Sequence, residues 1–186
     1  MNFDEIAQDD PRIIDVASHF MHRGNKSEAR FFKPSERGAY NNCFFIEFPT
    51  LNGAKRRVVV RVTRLHENGY PLNKKLQAEV AIMRIVRERT MIPVPEVYGF
   101  GTEPEHAISG INYFIVLEFV EGYNLAALYR NLRAGSPPIN PQFPQLTKER
   151  QDRLLEHMAD VFAQFRRLEF DAAGTLGFAH TPSPVD

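Results

Sequence analysis

Cysteine is almost missing from this chain of 186 residues: Cys43 is the sole one, and tryptophan does not occur. A single thiol builds neither a disulfide framework nor a thiolate metal site, which fits a reducing compartment. An excess of either charge is lacking as well. Lysine plus arginine number 23 and aspartate plus glutamate 23, so the formal net charge is zero. Without a basic stripe there is no field to gather nucleic acid or an anionic membrane. Long apolar runs are also absent; stretches such as 113–117 are far too short to span a bilayer. The first ten residues include Asp4, Glu5, Asp9 and Asp10, the wrong sign for a secretory or mitochondrial leader. The expectation is a cytoplasmic protein with no nucleic-acid or membrane partner. No Gly-x-x-x-x-Gly-Lys-Ser/Thr occurs, and Gly99-Phe100-Gly101 lacks the third glycine and following helix of a dinucleotide site.

What is present suffices for a core, at 43% hydrophobic residues. Asp10-Pro11 is a cap and first-turn pair. Ile13, Ile14, Ala17, Phe20 and Met21 then recur at helical spacing to about His22, and Gly24 ends the helix, with 25–30 a polar loop. Phe31-Phe32-Lys33 reads as a short extended piece, and 35–42 as a loop rich in turn-formers. Residues 43–48 and 55–63 read as strands joined by a turn at Pro49, Asn52 and Gly53. In the second of them Val58, Val60 and Val62 face one side and Val59, Arg61 and Thr63 the other. A helix is expected over 73–90, its stripe made by Leu76, Val80, Met83 and Val86, stopped by Pro93 and Pro95. Strands follow at 97–100 and 113–120, separated by a polar stretch over 102–110. A short helix over 123–132, a proline-dense linker over 134–145 and a glycine-rich tail over 174–186 complete the pattern. Before that tail, Thr147 caps a helix to about Phe170 whose buried side carries Leu154, Leu155, Met158, Val161, Phe162, Phe165 and Leu168. The order is an α+β pattern: a mostly antiparallel sheet with one helix against it, then helices.

Glu79 falls within the apolar stripe of its helix, where a carboxylate is costly unless paired. Either it lies at the stripe's edge and reaches solvent, or it meets a cation from the sheet below, for which Arg61 is the candidate. The six histidines, His19, His22, His66, His106, His157 and His180, are scattered and fit surface positions better than a metal site. Cys43 reads as a small buried hydrophobe. Phe31-Phe32 and Phe44-Phe45 read as sheet core.

Several short runs taken together carry a resemblance: Gly38-Ala39-Tyr40-Asn41-Asn42, Val58-Val59-Val60-Arg61, Glu79-Val80-Ala81, 92–97, and 114–122. Over about residues 30–178 the chain resembles kinases of the aminoglycoside phosphotransferase family, particularly divergent fungal members. The resemblance implies a protein-kinase-like N-lobe. Residues 1–29 would be an N-terminal helical extension, 30–122 the nucleotide-binding lobe and hinge, and 123–186 part of a helical C-lobe. It implies ATP as cofactor and a small-molecule acceptor. Residues 35–42, with Gly38, Tyr40 and Asn41, would close over the phosphates. Arg61 would grip them, held by Glu79; Val59 would roof the adenine; Glu118, Phe119 and Val120 would be the hinge. Lysine is usual in the family where Arg61 stands, and arginine keeps the charge but forks differently. Gly38 alone makes no close-fitting glycine nest, so an ordinary hairpin turn is the other reading of that loop.

Such kinases take a catalytic aspartate from a His-x-Asp loop, and magnesium ligands from an asparagine and a further aspartate downstream. No His-x-Asp occurs in these 186 residues. The expectation is a phosphotransferase lacking its catalytic residues and Mg²⁺ ligands in this stretch, and inactive by itself. The alternative is a non-catalytic kinase-fold binding or scaffold module, with a partner at the exposed C-lobe helices.

Overall fold

Five strands form one antiparallel sheet: β1 Arg30–Arg37, β2 Asn41–Pro49, β3 Lys55–Thr63, β4 Val97–Gly101 and β5 Phe114–Glu118, in spatial order β1-β2-β3-β5-β4. The structure, a computed structural model, describes residues 6–21, 29–50, 53–63, 71–122 and 147–178. The expected short helix over 123–132 and linker over 134–145 lie outside the described residues.

Residues directly opposed in a ladder share a face of the pleat, so the register sorts the side chains. Phe44, Val60 and Val116 form one row, and Val58, Val62, Ile46 and Phe114 share their face. Helix α1, Pro11–Phe20, covers that face and buries Ile13, Val16 and Ala17 in it. Its Asp10 cap accepts from the Arg12 amide at 3.0 Å, and Pro11 fills the first turn without losing a bond. The helix read as an extension is therefore one layer of the core.

The rows Cys43–Arg61–Ile115 and Phe45–Val59–Leu117 define the other face. Helix α2, Leu72–Arg89, lies there and packs Leu76 and Val80 against Phe100, Ile115 and Leu117. The alternation read along β3 is therefore realised as two packed faces. Thr90 closes α2, its hydroxyl donating to the Val86 carbonyl at 2.6 Å, and the chain continues extended toward Pro93 and Pro95. Phe178 also reaches this core, stacking on Phe100 at 5.7 Å, with Arg84 over both rings.

Three expectations are corrected. First, β1 runs to Arg37, so the loop over 35–42 shrinks to residues 38–40. Proline 34 is tolerated because β1 is a sheet edge whose pairing with β2 is interrupted on both sides of Lys33. Second, helix α3, Lys148–Phe165, ends before Phe170 and buries none of its residues; Leu155, Met158, Phe162 and Phe165 are exposed. Its amphipathic pattern marked a face able to be covered, and periodicity does not say by what. Third, Cys43 is only partly buried, because it sits on the α2 face beyond the reach of that helix's apolar stripe.

Candidate functional site

Arg61 lies in mid-strand, flanked by Cys43 on β2 and Ile115 on β5. Its Nη2 stands 2.6 Å from Oε1 of Glu79 on α2, with the two side chains 16% and 38% exposed. Glu79 thus occupies the edge of the stripe and is paired as well; the two readings of it are compatible. The contact is ionic by distance. Yet among the described residues Arg61 Nη2 and Nε, both buried, have no acceptor in hydrogen-bonding geometry. Buried donors without acceptors cost free energy. An arginine held at the mouth of a sheet–helix junction, with donors to spare, is chemistry suited to an anion such as a phosphate.

Toward the other end of the same face lies an aromatic roof. Val59 is flanked by Phe45 and Leu117. Phe119, just past β5, packs edge-on against Phe32 at 5.1 Å and Phe45 at 5.9 Å. Lys33 lies 3.7 Å from the Phe45 centroid and 5.5 Å from that of Phe119, within cation–π range. Of the residues expected to form a hinge, Glu118 donates its N–H to the Glu96 carbonyl at 2.9 Å, and Phe119 donates to the Arg57 carbonyl at 3.3 Å. The Glu118 carboxylate accepts from the Glu96 amide at 3.1 Å and lies near Arg87. Val120 is exposed and makes no hydrogen bond among the described residues.

The loop of Gly38, Ala39 and Tyr40 sits at the Arg61 end. The Gly38 amide donates to the Asn41 carbonyl at 2.8 Å, the closing bond of a tight hairpin. Gly38 is not in the left-handed region, so no nest of successive amides forms here. The exposed Tyr40 ring lies 5.0 Å from the Lys75 ammonium in the first turns of α2, which brings the loop tip toward the helix that carries Glu79. The structure therefore gathers Val59, Arg61 and Glu79 on one face, with Glu118, Phe119 and Val120 at one end and Gly38, Tyr40 and Asn41 at the other.

Reading the sequence missed Glu47. Its carboxylate is 4% exposed and takes Arg30 at 2.9 Å, Lys55 at 3.2 Å and Arg57 at 3.1 Å. The Arg30 hydrogen bond, with those of Lys55 and Arg57, outweighs desolvation and holds its pKa at about 2. Arg57 also bonds Glu121 beyond the hinge. The apolar run 43–48 masked this residue; two cations directly across the sheet from it, Arg30 and Arg57, with Lys55 two residues along, were the available signal. Burial pushes the Cys43 thiol pKa up, while Arg61 and Lys33 pull it down and Glu36 adds to the rise. Among the described residues no three His, Cys, Asp or Glu side chains come together as a metal-holding group. No helix there is long and apolar enough to cross a membrane.

The chain is 26% identical over 125 residues to "Altered inheritance of mitochondria protein 9, mitochondrial" of Zygosaccharomyces rouxii, covering 67% of this chain and 19% of that protein. It is 26% identical over 147 residues to "Probable acyl-CoA dehydrogenase IBR3" of Arabidopsis thaliana, covering 77% of this chain and 15% of that protein. The chain thus spans less than a fifth of each of these curated relatives. The model of the phosphotransferase enzyme family matches residues 32–184. That match takes in the sheet, α2 and α3, and the chain belongs to this family, the aminoglycoside phosphotransferase family that its motifs resemble.

Proposed function

We propose that these residues form the nucleotide-binding lobe of an ATP-dependent kinase that phosphorylates a hydroxyl of a small molecule. The observation that carries this reading is the Arg61–Glu79 pair, set on the same sheet face as Val59 and in line with the hinge at Val120. Phosphoryl transfer of this kind depends mainly on positioning and on stabilising charge. In that scheme Arg61 takes the phosphates and Glu79 fixes its direction. Val59, Phe45 and Phe119 offer apolar cover to the base, and the backbone at Val120 meets the base's polar edge. Magnesium would neutralise the phosphates in an intact family kinase; among the described residues no three His, Cys, Asp or Glu side chains cluster to hold it.

A finer part of the proposal is that the 186 residues alone bind ATP without turning it over, since no His-x-Asp is among them. The test is direct. Isothermal titration with ATP should give saturable binding that Arg61→Ala weakens. Labelled ATP with amines, sugars and aminoalcohols should give no transfer. Absence of binding overturns the nucleotide reading; robust transfer overturns the inactivity. A cytoplasmic location is also proposed, from the single cysteine and the lack of any disulfide framework in these residues. The yeast relative's name places that protein in mitochondria, so cell fractionation decides the compartment for this chain.

A second reading, a non-catalytic binding module, is favoured by the exposed apolar side of α3. It predicts self-association or partner capture through Phe162 and Phe165 with no ATP affinity. Sedimentation of the chain alongside the ATP titration separates the two.

A further inference from the structure

The sheet face that carries Val59 and Arg61 also holds a cation that neither the family match nor the motif reading uses. Lys33 stands on edge strand β1 opposite Phe45, in the row that continues to Val59. A lysine on an edge strand ordinarily points outward and guards the edge. This one is only 34% exposed and lies inward across the Phe45 ring, with its ammonium also near Phe119. Its carboxylate partner is Glu36, 2.9 Å away and 70% exposed. Glu36 in turn is opposite Cys43, which neighbours Arg61 in the same row. Lys33 and Arg61 thus stand on the same face of the sheet, on strands separated only by β2.

An exposed ion pair of this kind has little strength of its own. The ammonium is therefore easily taken from Glu36 by a more highly charged anion. A nucleoside polyphosphate carries that charge, and Lys33 shares the sheet face of Val59 and Arg61 on which the nucleotide reading places it. We propose that Lys33 is a second cationic contact for the phosphates, with Glu36 as the carboxylate that holds it when nucleotide is absent. This rests on the nucleotide reading given above and adds a residue to that site.

Titrations of the 186-residue chain with ADP and with adenosine test it, using Lys33→Gln, Lys33→Arg and Glu36→Gln. Lys33→Gln should weaken ADP about tenfold, the loss of one charged hydrogen bond, and leave adenosine unchanged. Lys33→Arg should retain ADP affinity, and Glu36→Gln should raise it, because the competing carboxylate is gone. Thermal melting of each variant reports whether the fold is intact. ADP affinity unchanged by Lys33→Gln, or lowered equally for ADP and adenosine, overturns the assignment. So does self-association of Lys33→Gln with normal ADP affinity, the result expected of an edge guard. If the unaltered chain binds neither ligand, the nucleotide reading itself fails. Binding to the unaltered chain with no response to Lys33 or Glu36 removes this inference alone.

Discussion

Arg61 on β3 and Glu79 on α2 meet at 2.6 Å across the line where sheet and helix join. The contact ties a strand of the central sheet to the helix laid over it. Because Glu79 is more than a third exposed, the pair should add little to stability, so its value lies in fixing where the guanidinium points. Arg61→Ala should reduce ATP affinity about 10- to 100-fold, as expected for losing a bidentate-capable phosphate contact. Arg61→Lys should retain much of it, since the charge survives. Glu79→Gln should lower affinity less than Arg61→Ala and barely shift the melting temperature. Equal affinities across the three variants in titration calorimetry would remove Arg61 from the phosphate site.

Cys43 offers a reporter that leaves these residues untouched. It is partly exposed on the face of Arg61 and Val59, so bound nucleotide should shield it. Burial raises its thiol pKa, and the thiolate is the reactive form. Alkylation by iodoacetamide should therefore be slow near pH 7 and accelerate as pH rises past the ordinary cysteine range. Saturating ATP should slow it severalfold at every pH. Mass spectrometry of timed samples gives the rates. A rate indifferent to ATP would place the ligand elsewhere.

Much of this fold is legible in the sequence alone, because the strongest signals are local and repetitive. The alternation Val58, Val60, Val62 against Val59, Arg61 gave β3 to the residue and assigned its faces. The 3.6-residue spacing of Leu76 and Val80 gave α2 to within a residue at each end. The Arg61–Glu79 pair was legible because a charge in an apolar strand and an acid in an apolar stripe each need a partner. What failed depended on non-local geometry. The first extended piece was read only to Lys33, and the edge position of β1 is what lets the strand continue through Pro34 to Arg37. Ser109 and Gly110, both at positive φ, form a turn that pairs Ile108 with Ile111 and buries Ile111. That turn lay hidden in a stretch read as merely polar. The stripe on α3 was visible, but whether anything covers it was not.

Glu47 should set the acid limit of the fold. Its pKa, about 2, lies below the unperturbed carboxylate value, chiefly through Arg30. A depressed folded-state pKa contributes stability that is complete above the unfolded value and is lost as pH falls through the folded one. Melting temperature should therefore fall across the window from about pH 4.5 to pH 2 in a way that Glu47→Gln abolishes. At pH 7 the same substitution should cost about 2 to 4 kcal/mol, because three cations lose a buried anion. Thermal denaturation at closely spaced pH values measures both. Parallel acid limbs for the two proteins would show that the network is not what yields first.

Gly99 and Phe20 make the last prediction, and it concerns the layer between α1 and the sheet. A Cβ built on Gly99 would fall 2.2 Å from two carbons of the Phe20 ring. Glycine is therefore needed for close approach rather than for an unusual backbone angle. The neighbouring Gly101 is confined in the same manner by the Phe114 ring and the Asn112 carbonyl. Both glycines of Gly99-Phe100-Gly101 are thus accounted for by packing. Gly99→Ala should destabilise by about 1 to 3 kcal/mol through overpacking, with the strain falling on the end of α1. Phe20→Ala alone should also destabilise, by emptying the space the ring fills. Combined, the two substitutions should cost clearly less than their sum, since the added methyl then occupies part of that space. A double-mutant cycle in urea reads the coupling directly. Strict additivity would mean that α1 simply shifts away, and that its contact with β4 is not a fixed part of the core.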